Sequence, residues 1–317
     1  MKPLRLAIIG LGVMGREMFR SVERHPDFTL VAAVDADVRV IEQLAQLHPE
    51  VMFGTDPSSV IGVKSVDAVY IATPPSTHAE LVVPALESGQ AVFCEKPLAV
   101  SLADAKVMCE VAQRATTVAA VNFSLSDRAA TRYLAGVLEN GEVGDILAVD
   151  INLAFPAWPR TFQTAAGWVG GRSQGGFVRE VFSHFAYLTD RLVGRLEPVD
   201  VGVAYRDSGS EATASGMMTA GLAPVRFAGV VGARPEQYEW ILTGSRRSFR
   251  FTNWRELHAS SGGDWELVDL PGEQGSEASR LALFAQAMRG TPSADLADFD
   301  IAYRVQRAVE AFHEETR

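Results

Sequence analysis

The sequence predicts an α/β protein with an N-terminal doubly wound parallel sheet of Rossmann type. A second α/β domain with a large, mostly antiparallel open sheet follows it. Three observations carry this prediction. Up to Val121 short apolar runs alternate with amphipathic stretches, the rhythm of right-handed strand–helix–strand crossovers. The first apolar run leads directly into Gly10-Leu11-Gly12-Val13-Met14-Gly15. Beyond Asn122 the pattern changes to strands of alternating polarity separated by turns.

Taken in order, strands are expected at Leu4–Ile9, Phe28–Val34, Ala68–Ala72, Ala91–Cys94 and Val118–Val121. Helices are expected at Met14–Glu23, Val38–Leu47, His78–Ser88 and Leu102–Arg114. Thr73-Pro74-Pro75-Ser76 breaks the chain after the third strand, and Ser76 or Thr77 is positioned to cap the helix that follows. In the second half a helix over Asp127–Glu139 stops at Asn140-Gly141, and Ile146–Ala154 alternates like a strand. A loop rich in Trp, Gly and Arg covers Phe155–Gly175, and a helix is expected over Gly176–Arg191. Short strands run from Val199 to Leu270, with turns at Asp207-Ser208-Gly209 and Ser261-Gly262-Gly263. Two helices, over Ser276–Arg289 and Asp298–Glu314, close the pattern. The expected domains are therefore residues 1–121 and 122–317.

The bulk composition bounds the function. A chain of 317 residues suits about two domains, and 47% hydrophobic with 21% charged residues describes a globular protein. A formal charge of −10 argues against nucleic acid or an anionic membrane as the main partner. Cys94 and Cys109 give neither a disulfide framework nor zinc spacing, and no apolar run is long enough to span a bilayer. The Met1–Gly10 stretch reads as a strand entering a glycine turn and not as a secretory leader, so a cytoplasmic protein is expected. No His, Cys and carboxylate cluster has metal-ligand spacing, so no metal is expected.

G-x-G-x-x-G at Gly10, Gly12 and Gly15 follows a strand and opens a helix, the context of a dinucleotide site. The first glycine allows the tight turn, the second lets the backbone approach a pyrophosphate, and the third lets helix and strand pack. Val13 and Met14 then carry the helix N-terminus, where free N–H groups favour an anion. Asp35, ending the second strand, suits a ribose diol and repels a 2′-phosphate, although Arg39 is nearby. NAD is thus expected ahead of NADP. Lys96, between an apolar strand and Pro97, lies where open α/β sheets bind ligands. Glu180 and His184 are four residues apart and share one face of a helix, either as a site or as an ordinary i,i+4 pair.

These residues resemble the Gfo/Idh/MocA oxidoreductases over nearly the whole chain. The resemblance rests on Gly10–Gly15, on Ala72-Thr73-Pro74 before a helix containing His78, and on Glu95-Lys96-Pro97. A second motif, Gly175-Gly176…Glu180…His184, completes it. It implies a cofactor site that also draws on Ala72, Thr73, Pro74, His78, Glu95 and Asn122, with Lys96 beside the nicotinamide. It further implies hydride transfer between NAD(H) and a sugar, polyol or related hydroxy or keto compound; the alternatives are an NAD-retaining glycosidase or lyase with no net redox change, or a non-catalytic NAD(P)-binding regulatory protein. The open sheet of that family often forms subunit contacts, which implies a homodimer or homotetramer. Lys96 is then the acid/base, with His184 and Glu180 as its partners. A lysine partly desolvated by cofactor and substrate can serve as acid or base.

One departure stands out: the family usually has Asp where this chain has Glu180. Trp158, Arg160, Trp168 and Arg172 are candidate substrate contacts, since aromatic faces and guanidinium groups suit a sugar ring or a carboxylate.

Overall fold

The computed structural model describes residues 2–163, 166–206, 209–270, 272 and 274–314. The chain divides into two compact units, one of Met1–Phe123 with Ser276–Tyr303, the other of Ser124–Gly275 with Arg304–Arg317. The first unit opens β1 (Leu4–Ile9), α1 (Val13–Glu23), β2 (Phe28–Val34), α2 (Val38–Leu47) and β3 (Met52–Gly54). It continues through β4 (Ala68–Ile71), α3 (His78–Glu87), β5 (Ala91–Cys94), α4 (Leu102–Arg114) and β6 (Ala119–Val121). These strands form a parallel sheet in the order β6-β5-β4-β1-β2-β3.

Two of these helices are started by local side-chain caps. Asp37 caps α2 by accepting from the Arg39 N–H, and Ser101 caps α4 by accepting from Ala103 and Asp104. Neither Ser76 nor Thr77 caps α3, contrary to the sequence expectation. Thr77 is the N-cap residue but donates its hydroxyl to Thr73 Oγ1 (2.7 Å) and to the Pro74 carbonyl (2.9 Å). The hydroxyl is spent tightening the Thr73–Thr77 turn.

The second unit contains α5 (Ala129–Glu139), β7 (Ile146–Phe155), α6 (Ser183–Leu192), β8 (Leu196–Tyr205), β9 (Glu211–Ala220) and β10 (Ala223–Val231). Four further strands are β11 (Gln237–Gly244), β12 (Ser248–Thr252), β13 (Glu256–Ser260) and β14 (Glu266–Leu267). The sheet order is β14-β13-β12-β11-β7-β10-β9-β8, antiparallel throughout except for the β7–β10 pair. Along β10 buried and exposed residues alternate, as in a sheet with one covered face. Trp240 on β11 is fully buried and donates its indole N–H to Thr189 Oγ1 of α6 at 2.9 Å. The expected turn at Asp207-Ser208-Gly209 lies, for its first two residues, outside the described residues.

The chain then returns to the first unit with α7 (Glu277–Met288) and β15 (Ala297–Asp298), which pairs antiparallel with β6. The last helix, α8 (Phe299–Glu310), is divided between the units at Tyr303. Grouping Ser276–Tyr303 with the first unit differs from the sequence expectation of a second domain running from residue 122 to 317. The reason is an aromatic ladder. Phe284 of α7 stacks on Phe93 of β5 (5.1 Å) and on Phe28 of β2 (6.2 Å), and Phe93 meets Tyr70 of β4 edge-on. Fully burying a phenylalanine contributes about 1.5–3 kcal/mol, so Phe284 anchors α7 to the first sheet.

Candidate active site

In the first unit the motif residues follow the carboxyl ends of four adjacent parallel strands. Gly10 follows β1, Asp35 follows β2, Ala72 follows β4, and Glu95 and Lys96 follow β5. This is the edge where open α/β sheets bind ligands. Gly10 has φ +95°, and a Cβ there would lie 2.7 Å from the Ala72 backbone. A Cβ on Gly15 would fall 1.9 Å from the Gly10 carbonyl oxygen, so strand and helix approach only because both are glycine. A Cβ on Gly12 would meet nothing within 4 Å, and no side chain caps α1. Val13 and Met14 thus open a helix whose first N–H groups lack a side-chain cap, over open space. A pyrophosphate fits such a cradle.

The Asp35 carboxylate is fixed by the backbone, accepting the Leu11 N–H at 2.6 Å and the Asp37 N–H at 2.8 Å. Each oxygen keeps lone-pair capacity for a further donor. Arg39 is turned to Asp37 through Nε–Oδ1 (3.0 Å) and Nη2–Oδ2 (2.8 Å), and that pairing lowers the Asp37 pKa.

His78 is fully buried and ties two loops together. Its Nε2 lies 3.0 Å from the Thr73 carbonyl oxygen and its Nδ1 lies 3.1 Å from that of Leu98. Burial lowers the imidazole pKa, against the pull of the carbonyls. The Ala72-Thr73-Pro74 loop and the Lys96-Pro97-Leu98 loop are thereby joined through one ring.

Lys96 is partly buried, while its neighbours Glu95, Pro97 and Leu98 are buried. Glu95 is 6% exposed and accepts from Tyr70 Oη and, at 2.8 Å, from Asn122 Nδ2. Asn122 also donates to Glu277 Oε2 (2.9 Å) and accepts from Arg280 Nε (2.6 Å). The structure therefore places both Glu95 and Asn122 in a buried polar network. Tyr70, Glu277 and Arg280 of that network had no sequence signal, because α7 is brought to β5 only by tertiary packing.

In the second unit, Gly175 and Gly176 precede a π-helical turn over Val178–Phe182 that runs into α6. The expected helix over Gly176–Arg191 is present as one run, with a π-helical turn near its start. Glu211 of β9 caps the start of this turn, its carboxylate accepting the Val178 N–H at 2.7 Å. A Cβ on Gly176 would lie 2.1 Å from Glu211 Oε2, so the glycine makes room for this cap. Burial raises the Glu211 pKa. Arg179 is structural as well, pairing with Glu310 Oε2 at 2.6 Å and donating to the carbonyls of Arg172 and Gly175.

Glu180 and His184 are both buried, which removes the ordinary reading of a solvated i,i+4 pair. Gln163 Nε2 donates to Glu180 Oε2 at 3.1 Å, and Ser124 Oγ lies 3.3 Å from His184 Nδ1. Trp254 packs edge-on against the imidazole, with centroids 5.3 Å apart. Asn253 and Trp254 have φ +54° and +65°, a left-handed pair that is costly for a tryptophan and is concentrated at functional sites. Gln163, Ser124 and Trp254 went unnoticed in the sequence. Only the Asn253-Trp254 backbone, invisible in sequence, marks the turn.

The other candidates are partly committed elsewhere. Trp158 Nε1 donates to the Val169 carbonyl at 3.2 Å, and its ring packs on Phe155 and Phe177. Arg160 donates to Gln163 Oε1 (2.9 Å) and lies over the Trp158 and Phe162 rings. Arg172 is exposed with its guanidinium 3.9 Å from the Tyr205 ring centroid, and Trp168 is half-buried. Glu23, His48 and Glu50 come within 4.8 Å of one another, an exposed cluster of a kind common without a metal. Among the described residues no helix is long and apolar enough to cross a membrane.

Residues 4–123 match the family model GFO_IDH_MocA, an oxidoreductase family with an NAD-binding Rossmann fold. Over that stretch the chain resembles the Gfo/Idh/MocA oxidoreductases. Among curated proteins it is similar to myo-inositol 2-dehydrogenase of Thermotoga maritima, 29% identical over 63% of this chain and 64% of that enzyme. The chain thus matches less than two thirds of that relative's length. Among solved structures it shares its fold with the WlbA dehydrogenase of Bordetella pertussis in complex with NADH and UDP-GlcNAcA. That match has TM-score 0.83 and 19% identity over 98% of this chain and 95% of the other. KijD10, a 3-ketoreductase of Actinomadura kijaniata in complex with NADP and TDP-benzene, matches with TM-score 0.83 and 19% identity, covering 100% and 98%. The match over residues 4–123 supports an NAD(P)-binding Rossmann domain, without choosing between the two cofactors.

Proposed function

We propose that this protein is an oxidoreductase of the Gfo/Idh/MocA type that transfers hydride between NAD(H) and a sugar, polyol or related hydroxy or keto compound, with Lys96 as the acid/base. The observation that supports it best is the alignment of Gly10, Asp35, Ala72 and Lys96 at one edge of one sheet. Gly10 to Gly15 hold the pyrophosphate at the α1 N-terminus, and Asp35 takes the ribose diol. Bound there, the nicotinamide supplies the hydride chemistry and the chain handles the proton.

In oxidation Lys96 Nζ, as the free amine, takes the hydroxyl proton of the substrate. In reduction the ammonium returns it to the forming alkoxide. Such a group contributes about 10²- to 10⁴-fold. His184 and Glu180 are assigned to substrate hydroxyls and to proton relay. Their fixing by Ser124, Trp254 and Gln163 supports that role, since positioned groups lose little entropy on engagement. Asp35 and the Arg39–Asp37 pair favour NAD over NADP. The polyol dehydrogenase relative supports a carbohydrate-like substrate, and the exposed face of the second sheet supports a homodimer or homotetramer. Two buried free cysteines agree with a cytoplasmic protein.

The test is a screen of sugars, polyols and hydroxy acids for NADH formation. Accumulation of NADH with a ketone product supports the reading. A converted substrate with no NADH overturns it in favour of chemistry without net redox change.

A further inference from the structure

Five polar side chains from four elements are gathered in the first unit. Tyr70 comes from β4, Glu95 from the end of β5, Asn122 from the end of β6, and Glu277 and Arg280 from the first turn of α7. Asn122 Nδ2 donates to both carboxyls, at 2.8 Å to Glu95 Oε1 and 2.9 Å to Glu277 Oε2. Arg280 pairs with Glu277 and donates to Asn122 Oδ1, and Tyr70 Oη donates to Glu95. The second Glu95 oxygen accepts the backbone N–H of Lys96 at 3.3 Å.

The charge in this cluster does not balance by itself. Glu277 and Arg280, 11% and 3% exposed at their side chains, neutralise one another. An ionised Glu95 is then a second buried negative charge, which costs several kcal/mol unless a cation answers it or a proton neutralises it. Lys96, the next residue in the chain, stabilises the ionised form.

We propose that Glu95, held with Glu277 in this network, is a titrating positioning residue for Lys96: its neutral and ionised forms give the lysine two electrostatic surroundings and so set the pH dependence of turnover. The proposal rests on the reading of Lys96 as the proton-transfer group. Desolvation, and then the Glu277 charge, push the Glu95 pKa up to about 7, against the hydrogen bonds from Tyr70 and Asn122 and the charge of Lys96. The remaining ionisable neighbours are accounted for. Burial holds Tyr70 and Cys94 far up their scales as neutral groups, and Glu17 of α1 faces Glu277 and Arg280. Burial also raises the Glu17 pKa, and Glu95, at about 7, changes charge near neutrality.

The test is infrared titration of the full chain, following the C=O band of protonated carboxyls, beside the pH profile of kcat. Glu95→Gln keeps an acceptor for Tyr70 and Asn122 but cannot ionise, and Glu277→Gln removes the neighbouring charge. The expected result is a carboxyl band titrating near pH about 7 that Glu95→Gln abolishes and Glu277→Gln moves about one unit lower. The kcat profile should move with it, while Glu277→Asp, which keeps the charge, restores both. No band titrating near neutrality, or a band that survives Glu95→Gln, overturns the proposal. So does a kcat profile that stays put in Glu277→Gln while the band moves. The infrared reading needs no turnover, so it fails separately from the Lys96 reading, which falls if Lys96→Ala keeps its activity.

Discussion

The imidazole of His78 lies 3.1 Å from the carbonyl oxygen of Leu98, two residues beyond Lys96. Its other nitrogen reaches Thr73, so one buried ring fixes the loops after β4 and β5 to each other. Replacing His78 by Ala removes both contacts and leaves a cavity. We expect a loss of about 2–4 kcal/mol in unfolding free energy by urea titration. The kcat should fall more than the NADH affinity, because the loop that carries Lys96 loses its tie.

Asp35 is fixed by Leu11 and Asp37, and its carboxylate is the group assigned to the ribose diol. Asp35→Asn keeps an acceptor for Leu11 but halves the acceptor capacity and removes the charge. The NADH dissociation constant should rise about tenfold, roughly 1.4 kcal/mol, and the preference over NADPH should narrow. Fluorescence titration with both cofactors measures it; tighter binding of NADPH to the unmodified protein contradicts the assignment.

Much of the first unit was legible because its determinants are local. Asp37 and Ser101 cap α2 and α4, and these helices coincide with the expected Val38–Leu47 and Leu102–Arg114. Gly15 is demanded by the Gly10 backbone five residues before it, whereas Gly10 answers the distant Ala72 backbone and was legible through the motif spacing. What was not legible depends on distant partners. β3 is a three-residue edge strand with no periodicity to read. The start of the π-helical turn before Glu180 is capped by Glu211, a residue 33 positions from Val178. Arg280 and Glu277 reach Asn122 only because Phe284 stacks on Phe93.

Glu180 is one methylene longer than the Asp usual in the Gfo/Idh/MocA proteins that the chain resembles, and Gln163 meets its carboxylate at 3.1 Å. Glu180→Asp withdraws that carboxylate by about 1 Å, enough to lower kcat/KM by ~10²-fold in a positioned site. Steady-state kinetics on the best substrate of the screen measures the effect. An unchanged or improved value means that Glu180 plays no part in handling substrate.

His313 sits 3.0 Å from Tyr205 Oη, and burial, with the Arg179 charge, brings its pKa down to about 3. The folded state thus binds fewer protons at this site than the unfolded state between about pH 3 and the ordinary histidine value of 6.5. Stability from this group is full above that window and is lost as pH falls through it. His313→Asn should flatten the fall in urea midpoint between about pH 6.5 and pH 4. An acid dependence identical to that of the unmodified protein contradicts this.

Lys96→Ala is the most direct test of the account. With NAD binding followed by fluorescence and turnover followed by NADH absorbance, the variant should bind cofactor within about threefold of the unmodified protein and lose about 10²-fold or more in kcat. Turnover that survives within a few-fold would contradict the assignment of Lys96 as the acid/base.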